Sequence, residues 1–443
     1  MAVAVAMVAI LSCGAVVVAS EAVGRSQPQA LHLALGNSAD AYVVSWLTLD
    51  ETRTSTVKYG TAPGALDKIA TGSARIYDHV GGGFNHFVTL DALPANAKIY
   101  YLVGDAEGGF SDVFFFETRR AEAGKAPMTF AIYGDLGLDK GEPSIAAINS
   151  HGAQGEYDFV LHLGDISYAN DAIISHNSTH DYEEIWRDWF AALAPTMTRT
   201  PYMVMPGNHE SWSRSPLSGI QTFNFTVYKY KFQMPGAAAG SDTSMFYSFD
   251  YGLVHFIALS TETDYDGHPI DFYVKQYKQV NWLRADLAKA AANRANVPWI
   301  IVMGHRPVYC TGSPYSKDSV PTENSATLQA WLEPLFKEYR VDAYVSGHAH
   351  RYERQFPTYR NQPTSRSYTA PGGTVYLVSG GAGNVEGHSS GGADAVWTAY
   401  KNITDFGYST MTVVNATHLE WQWRVSATDE LADAITIVSD HDW

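Results

Sequence analysis

Cysteine is almost missing from this chain, whose 443 residues include only Cys13 and Cys310. Small secreted scaffolds that depend on several disulfides are therefore excluded. A chain of this length can bury a sizeable core without such cross-links. Because Cys13 lies in the first hydrophobic stretch, removal of that stretch would leave Cys310 as the single thiol, and no internal disulfide is expected.

Basic residues are also in deficit: 30 Lys and Arg stand against 46 Asp and Glu, a formal net charge of −16. No basic block offsets this excess, so we expect neither nucleic acid nor an anionic membrane as a general partner. A negatively charged substrate would need a strong local positive centre, such as metal ions. The 16 His residues are enough to contribute ligands to one.

Long uncharged apolar runs are missing except at residues 1–20, a run that ends in small residues but lacks a basic n-region. We expect residues 1–20 to be a cleaved signal peptide. A membrane anchor is the alternative, because the run is long enough to span a bilayer. Export predicts a secreted, extracellular or vacuolar-lysosomal protein with no membrane attachment after signal removal. Four N-glycosylation sequons agree with export, at Asn177, Asn224, Asn402 and Asn415.

Short strands separated by turn residues occupy residues 27–120 and predict an all-β sandwich domain there, with His86 on its surface. The clearest strands are Ala41–Leu49, Ser55–Tyr59, Phe87–Leu93, Lys98–Gly104 and Asp112–Thr118. A charged stretch without a pattern follows at Arg119–Pro127, and we interpret it as the linker.

Apolar strands alternate with helical stretches in residues 128–443, which predicts an α/β layered domain of mixed sheets flanked by helices. Hairpins are expected at Met245–Thr261, with its turn at Asp250-Tyr251-Gly252, and at Gly407–Val425, with its turn near Asn415. The predicted helices are Glu142–Ser150, Tyr182–Leu193, Val274–Ala292 and Ala326–Tyr339.

Five segments of this second domain share one form: an apolar strand, then a Gly, then a polar residue able to bind metal. Because ligands gather outside the carboxyl ends of strands in α/β sheets, these residues should meet at one edge. The Gly before each allows a sharp exit and close backbone approach. The five polar residues are Asp135, Asp165, Asn208, His305 and His348, and two more can reach the same place, Tyr168 and His350.

Carboxylate and imidazole ligands together suit first-row metals. One bridging carboxylate can hold two ions about 3.5–4 Å apart, a geometry that favours in-line attack on phosphorus. The sequence therefore predicts a two-metal site.

In order along the chain, the segments Gly134-Asp135, Gly164–Tyr168, Gly207–Glu210, Gly304–Pro307 and Gly347–His350 resemble the metallophosphoesterase signature. Many members carry His two residues after the first Asp, where this chain has Gly137, and this chain has Tyr168 in the second motif instead. That exchange, and the run His348–Arg354, are similar to the purple acid phosphatases. The N-terminal sandwich resembles the fibronectin type III-like domain of their larger, plant-type members.

The resemblance implies a role for each site residue. Asp135, Tyr168 and His350 would bind a ferric ion, Fe(III). Asn208, His305 and His348 would bind a second, divalent ion of zinc, manganese or iron, and Asp165 would bridge the two. His209 would contact the phosphate or protonate the leaving group. Plant members carry a His pair after the position of Tyr309, where this chain has Cys310–Tyr315 and no His, so another general acid stays open.

We therefore expect an acid phosphatase that hydrolyses small phosphate monoesters by attack of a metal-bound hydroxide. The same metal centre would also suit a phosphodiesterase or nucleotide pyrophosphatase. A secreted, non-catalytic binding protein is the alternative of another class. The sequence does not indicate an oligomeric state.

Overall fold

The computed structural model of the protein describes residues 24–77, 82–120, 127–174, 182–211, 213–214, 221–222, 225–270, 276–311, 323–389 and 392–442. The expected signal peptide and the sequons at Asn177 and Asn224 lie outside these ranges. No helix within them is long and apolar enough to cross a membrane.

The N-terminal domain consists of two antiparallel sheets, as predicted, with strand orders β1-β2-β6-β5 and β4-β3-β7-β8, and β9 also pairs with β7. Alternating side chains such as Trp46, Val57 and Tyr101 are buried in its core. The strands are β1 Gln29–Leu35, β2 Tyr42–Thr48, β3 Thr56–Gly60, β4 Lys68–Thr71, β5 Ser73–Arg75, β6 Phe84–Leu90, β7 Lys98–Asp105, β8 Gly109–Phe110 and β9 Phe114–Glu117.

The expectation of a surface position for His86 is wrong. The ring is buried. It stacks on Trp46 with centroids 4.9 Å apart. Its two nitrogens lie 2.9 Å from the Thr48 hydroxyl and 2.8 Å from the Ser55 hydroxyl. Those two hydroxyls satisfy the imidazole inside the sandwich, and a sequence pattern does not reveal such partners.

The second domain contains two large mixed sheets, with orders β14-β12-β10-β26-β27-β28 and β17-β18-β19-β20-β24-β21-β25. Its strands are β10 Met128–Tyr133, β11 Leu136–Gly137, β12 Phe159–His162, β13 Ile166–Ser167, β14 Tyr202–Val204, β15 Ser213–Arg214, β16 Gln221–Thr222, β17 Tyr247–Tyr251, β18 Val254–Leu259, β19 Trp299–Gly304, β20 Ala343–Ser346, β21 Tyr352–Gln355, β22 Thr358–Tyr359, β23 Gln362–Pro363, β24 Val375–Ser379, β25 Thr398–Asn402, β26 Gly407–Val413, β27 His418–Val425 and β28 Glu430–Val438.

Helices cover the outer faces of both sheets, which confirms the predicted layered α/β class. They are α1 Glu142–Ala153, α2 Ala169–Ile174, α3 Tyr182–Met197, α4 Thr226–Lys231, α5 Gly236–Ala239, α6 Lys278–Ala292 and α7 Glu323–Tyr339, with a 3-10 turn at His209–Ser211. The inner faces of the sheets meet through aromatic rings. Phe130 of β10 lies edge-on to Phe256 of β18, with centroids 5.1 Å apart.

Both predicted hairpins form, as the antiparallel pairs β17-β18 and β26-β27. No local pattern indicates that β26 pairs with β10 in particular, nor that β28 extends the sheet as a further edge strand. Strands β14, β12 and β10 run parallel, as do β18, β19, β20 and β24. The carboxyl ends of these parallel strands are where the predicted ligands lie.

The N-terminal domain packs directly on the strand that leads to the site. The His32 ring lies 2.7 Å through Nε2 from the carbonyl oxygen of Tyr202 in β14. The Tyr101 hydroxyl donates a 2.8 Å hydrogen bond to the carbonyl of Thr198, just after α3. Buried side chains of both domains belong to one continuous hydrophobic core. The junction therefore supports β14, which precedes Asn208.

Candidate metal centre

Both sheets contribute to one site at the carboxyl ends of their parallel strands. Asp135, Asp165 and Asn208 follow β10, β12 and β14 of the first sheet. His305 and His348 follow β19 and β20 of the second. The structure thus brings together all five residues that the sequence places after a strand and a Gly, and Tyr168 and His350 join them.

Glycine is required at the exits from two of these strands because the backbone passes directly against a ligand side chain. A Cβ at Gly207 would lie 2.2 Å from Asp165 Oδ1, and a Cβ at Gly347 would lie 2.5 Å from Asp135 Oδ2. The ligands themselves adopt left-handed backbone conformations, with φ of 63° at Asp135 and 65° at His348. Strained conformations of this kind concentrate at functional sites.

The first ligand cluster is formed by Asp135, Tyr168 and His350. The Tyr168 hydroxyl lies 3.0 Å from His350 Nε2 and 3.3 Å from Asp135 Oδ1, and His350 Nε2 lies 3.4 Å from the same carboxylate oxygen. The other nitrogen of His350, Nδ1, is 2.9 Å from the carbonyl of Gly387, which orients the ring. Three buried donor atoms of the kinds that bind iron therefore converge.

The second cluster is formed by Asn208, His305 and His348, with Asp165 between the two clusters. His305 Nε2 lies 3.0 Å from Asp165 Oδ2 and 3.1 Å from Asn208 Oδ1, and its Nδ1 lies 2.8 Å from the carbonyl of Leu163. The carboxylate of Asp165 forms one group of possible metal ligands with His305 and His348, and another with Asp135 and His350. This donor set of buried and half-buried carboxylate, amide and imidazole side chains fits a pair of first-row metal ions.

Charge pairing within the site sets its protonation. Burial lowers the pKa of His305, but the Asp165 carboxylate outweighs it and raises the value to about 10. Both ring nitrogens face acceptors, as a doubly protonated imidazole requires. Burial would raise the pKa of Asp165, yet the facing imidazoles of His305 and His209 hold it well below its ordinary range. Metal binding here must therefore displace a proton from His305.

Glu210 fixes the loops that hold two ligands. Its carboxylate accepts hydrogen bonds from the backbone N–H groups of Asp165 at 3.0 Å, Ile166 at 2.7 Å and Gly207 at 2.7 Å. Burial and the nearby Asp165 carboxylate raise its pKa to about 8. No role was predicted for Glu210 from the sequence, although its position directly after Asn208 and His209 indicates that it lies at the site.

His209 lies at the border of both clusters. Its backbone N–H donates to Asp165 Oδ1 at 2.9 Å, and its ring lies 4.3 Å from the Tyr168 ring. Nδ1 lies 3.0 Å from Asn170 Oδ1 and 3.4 Å from Asp171 Oδ1. Nε2 is directed to the site, 3.8 Å from Asp165 Oδ2 and 3.8 Å from Glu386 Oε1. Nε2 is therefore the ring nitrogen that faces the place where a substrate would bind.

Four further residues of the site were missed by sequence reasoning. Asp171 and Glu386 form a cluster with His209, and Arg306 pairs with the buried carboxylate of Glu262. Asp171 lies in the short helix α2 and Glu386 in an irregular loop, so no periodic pattern marks them. Arg306 follows a predicted ligand directly, which was a usable signal.

Cys310 is buried beside Ala349, and burial raises the pKa of its thiol to about 12. The thiol is therefore protonated at ordinary pH and unreactive.

Comparison with known proteins agrees with the fold. Residues 128–352 match the family model described as calcineurin-like phosphoesterase. Residues 28–118 match the purple acid phosphatase N-terminal domain, and residues 373–434 match the iron/zinc purple acid phosphatase-like protein C domain.

Curated relatives match over nearly the whole chain. The chain is 32% identical to acid phosphatase type 7 of Danio rerio, over 89% of this chain and 87% of the relative. It is 31% identical to purple acid phosphatase 18 of Arabidopsis thaliana, over 91% and 83%. The solved structure of a purple acid phosphatase from yellow lupin (Lupinus luteus) seeds superposes with a TM-score of 0.76 at 24% identity, covering 93% of this chain and 74% of that one. The chain therefore belongs to the purple acid phosphatase family and is a phosphoester hydrolase of the acid phosphatase type.

Proposed function

We propose that this protein is a secreted acid phosphatase that hydrolyses small phosphate monoesters at a pair of metal ions. The observation that carries the proposal is the convergence of six buried or half-buried donor side chains, from both sheets, around the carboxylate of Asp165. The names of the relatives, acid phosphatase type 7 and purple acid phosphatase 18, support the reaction class.

The ligand assignment follows from the two clusters. Asp135, Tyr168 and His350 would hold Fe(III), because a phenolate oxygen is a hard donor that favours the ferric state. Asn208, His305 and His348 would hold the divalent ion of zinc, manganese or iron, and Asp165 would belong to both. Bound there, the ions would neutralise the phosphoryl oxygens and supply an activated nucleophile.

The chain's own residues would position the metal ligands and protonate the leaving oxygen. Glu210 keeps Asp165 and the Asn208 loop in place through three backbone hydrogen bonds. His209, with Nδ1 held by Asn170 and Asp171, would present a proton at Nε2 to the leaving oxygen.

The general-acid role of His209 can be tested by substitution. The variant His209→Ala should lower kcat by about 10²–10⁴-fold on an alkyl phosphate monoester, whose leaving oxygen needs a proton. It should matter less on p-nitrophenyl phosphate, whose leaving group is already stable as an anion. Steady-state kinetics on both esters, with metal content by mass spectrometry, measure this.

Equal losses on the two esters would refute the general-acid role, and loss of metal would make His209 a support of the loop. Assay of wild-type protein on bis(p-nitrophenyl) phosphate is the matched control for the reaction class. A higher kcat/KM on that diester than on the monoesters would overturn the monoesterase assignment in favour of a phosphodiesterase.

A further inference from the structure

Arg306 places a cation inside the candidate metal centre. None of the proposed ligand roles involves this side chain. Its Nε lies 2.8 Å and 3.0 Å from the two carboxylate oxygens of Glu262. Its side chain is 11% exposed and that of Glu262 is 0% exposed. A buried ion pair is costly to form, so its position beside a reaction centre calls for a chemical reason.

The pair is rigidly oriented. The backbone N–H of Arg306 donates a 2.8 Å hydrogen bond to the hydroxyl of Thr261, the residue that precedes Glu262. This bond fixes the backbone of Arg306 next to Glu262. Glu262 binds the guanidinium at Nε. The edge formed by Nη1 and Nη2 therefore faces the second ligand cluster. Two parallel N–H donors on a planar group match two oxygens of a phosphoryl group.

The atoms facing that edge are the predicted metal ligands. Nη1 lies 2.9 Å from His348 Nε2, and Nη2 lies 3.4 Å from Asn208 Oδ1. A neutral imidazole has one lone pair at Nε2, so His348 can accept from Arg306 or bind a metal but cannot do both. Metal binding at His348 would therefore release a desolvated N–H donor beside the metal, and such a donor needs a new acceptor.

We propose that Arg306, oriented by Glu262, binds non-bridging oxygens of the substrate phosphoryl group and of the phosphate product at the second-metal half of the centre. Arg306 is then a catalytic residue, because it touches the reacting group, and Glu262 is its positioning residue. The inference rests on the proposed function, since it needs a phosphoryl group bound between the two clusters.

The test uses purified full-length protein with its metals, titrated with inorganic phosphate by isothermal titration calorimetry. Arg306→Gln should keep both metals and weaken phosphate binding about 10- to 100-fold, the usual effect of losing hydrogen bonds to a charged group. Arg306→Lys should recover part of the loss, because it restores the charge without the planar fork. Glu262→Gln should also weaken phosphate binding while Arg306 is intact.

Arg284→Gln is the matched control, because Arg284 lies on the surface of α6 with a side chain 60% exposed and should leave phosphate binding unchanged. Unchanged phosphate affinity in Arg306→Gln with both metals present would overturn the inference, while wild-type ester hydrolysis would keep the proposed function. Loss of the second metal in both Arg306 variants would also overturn it, since Arg306 would then only support the ligands. Wild-type protein that binds metals but no phosphate would overturn both proposals.

Discussion

Tyr168 distinguishes this site from a general two-metal phosphoesterase site. Its backbone adopts a left-handed conformation, with φ of 55°, and its side chain is buried against Asp135 and His350. Burial and the surrounding carboxylates raise the pKa of the phenol well above its ordinary value. Only a strongly charged metal ion could deprotonate it there, which is the state that a ferric ligand requires.

We expect the wild-type protein to have a purple or pink colour from phenolate-to-iron charge transfer, and we expect the variant Tyr168→Phe to lose that colour. A visible spectrum of both proteins at equal concentration measures this. Tyr59→Phe, in strand β3 of the N-terminal domain, should keep the colour. Retention of the full absorption band by Tyr168→Phe would remove Tyr168 from the ligand set.

The meeting of the predicted residues at one sheet edge has a local signal in the sequence, whereas the contacts of their neighbours have none. Each of Asp135, Asp165, Asn208, His305 and His348 follows its own strand and Gly, so one pattern repeated five times indicated the edge. Glu210, Asp171, Glu386 and the Arg306–Glu262 pair act through partners far away in sequence, and a single sequence does not show those partners. The same reason explains why His86 was misplaced on the surface.

At the scale of elements, one buried histidine, His255, links the β17-β18 hairpin to helix α6 through two carboxylates. His255 Nδ1 lies 2.6 Å from Asp250 Oδ1, in the hairpin, and Nε2 lies 3.0 Å from Asp286 Oδ2, on α6. Burial lowers the pKa of His255, but the two carboxylates outweigh it and raise the value to about 9. The imidazolium therefore joins the second sheet to its covering helix.

This link should depend on pH in a defined direction. Because the folded-state pKa lies above the ordinary 6.5, the stabilisation is complete below about pH 6.5 and is lost as pH rises through about 9. His255→Gln should lower the free energy of unfolding by about 1.5–3 kcal/mol at pH 5.5 and by less at pH 9.5. Urea denaturation at both pH values measures it, with His418→Gln at the start of β27 as the control. An equal loss at the two pH values would mean that the charge on His255 contributes nothing.

Element types were also more predictable than their pairing. The helices α1, α3, α6 and α7 and both hairpins were indicated by apolar periodicity and turn residues, because these signals are local. The antiparallel insertion of β26 beside β10, which completes the first sheet, joins Met128 to Val413 across most of the domain. Such long-range pairing is set by packing between the sheets and leaves no local mark.

At the scale of the whole molecule, the two domains act as one support for the site. They share a continuous core, and His32 and Tyr101 bind the backbone around β14, the strand that precedes Asn208. The chain as a whole carries a formal net charge of −16, so an anionic substrate needs a local positive charge to be attracted to the site. The metal ions would supply that positive charge locally.

The export proposed for this protein predicts glycans at particular sequons. Asn415 is exposed in the turn between β26 and β27. Asn402 is half-buried, and its amide nitrogen donates a 2.9 Å hydrogen bond to Asp405 Oδ2, which leaves little room for a sugar. In secreted protein from eukaryotic cells we expect a chain that begins near Glu21 and carries a glycan on Asn415 rather than Asn402.

Peptide mass spectrometry of the secreted protein checks both points. Asn415→Gln should remove the mass of one glycan, and Asn402→Gln should not change the mass beyond the substitution. An intact N-terminus at Met1 on intracellular, unglycosylated protein would overturn the assignment to the secretory route.

The central claim is that Asp165 joins a ferric ion to a second, divalent metal ion, and metal quantification by inductively coupled plasma mass spectrometry tests it most directly. Purified wild-type protein should contain one iron and one further zinc, manganese or iron ion per chain. Asp165→Asn should lose most of both, whereas Asp112→Asn, in an exposed turn of the N-terminal domain, should keep both. Two divalent ions without iron in the oxidised wild type, or full metal content in Asp165→Asn, would contradict the account.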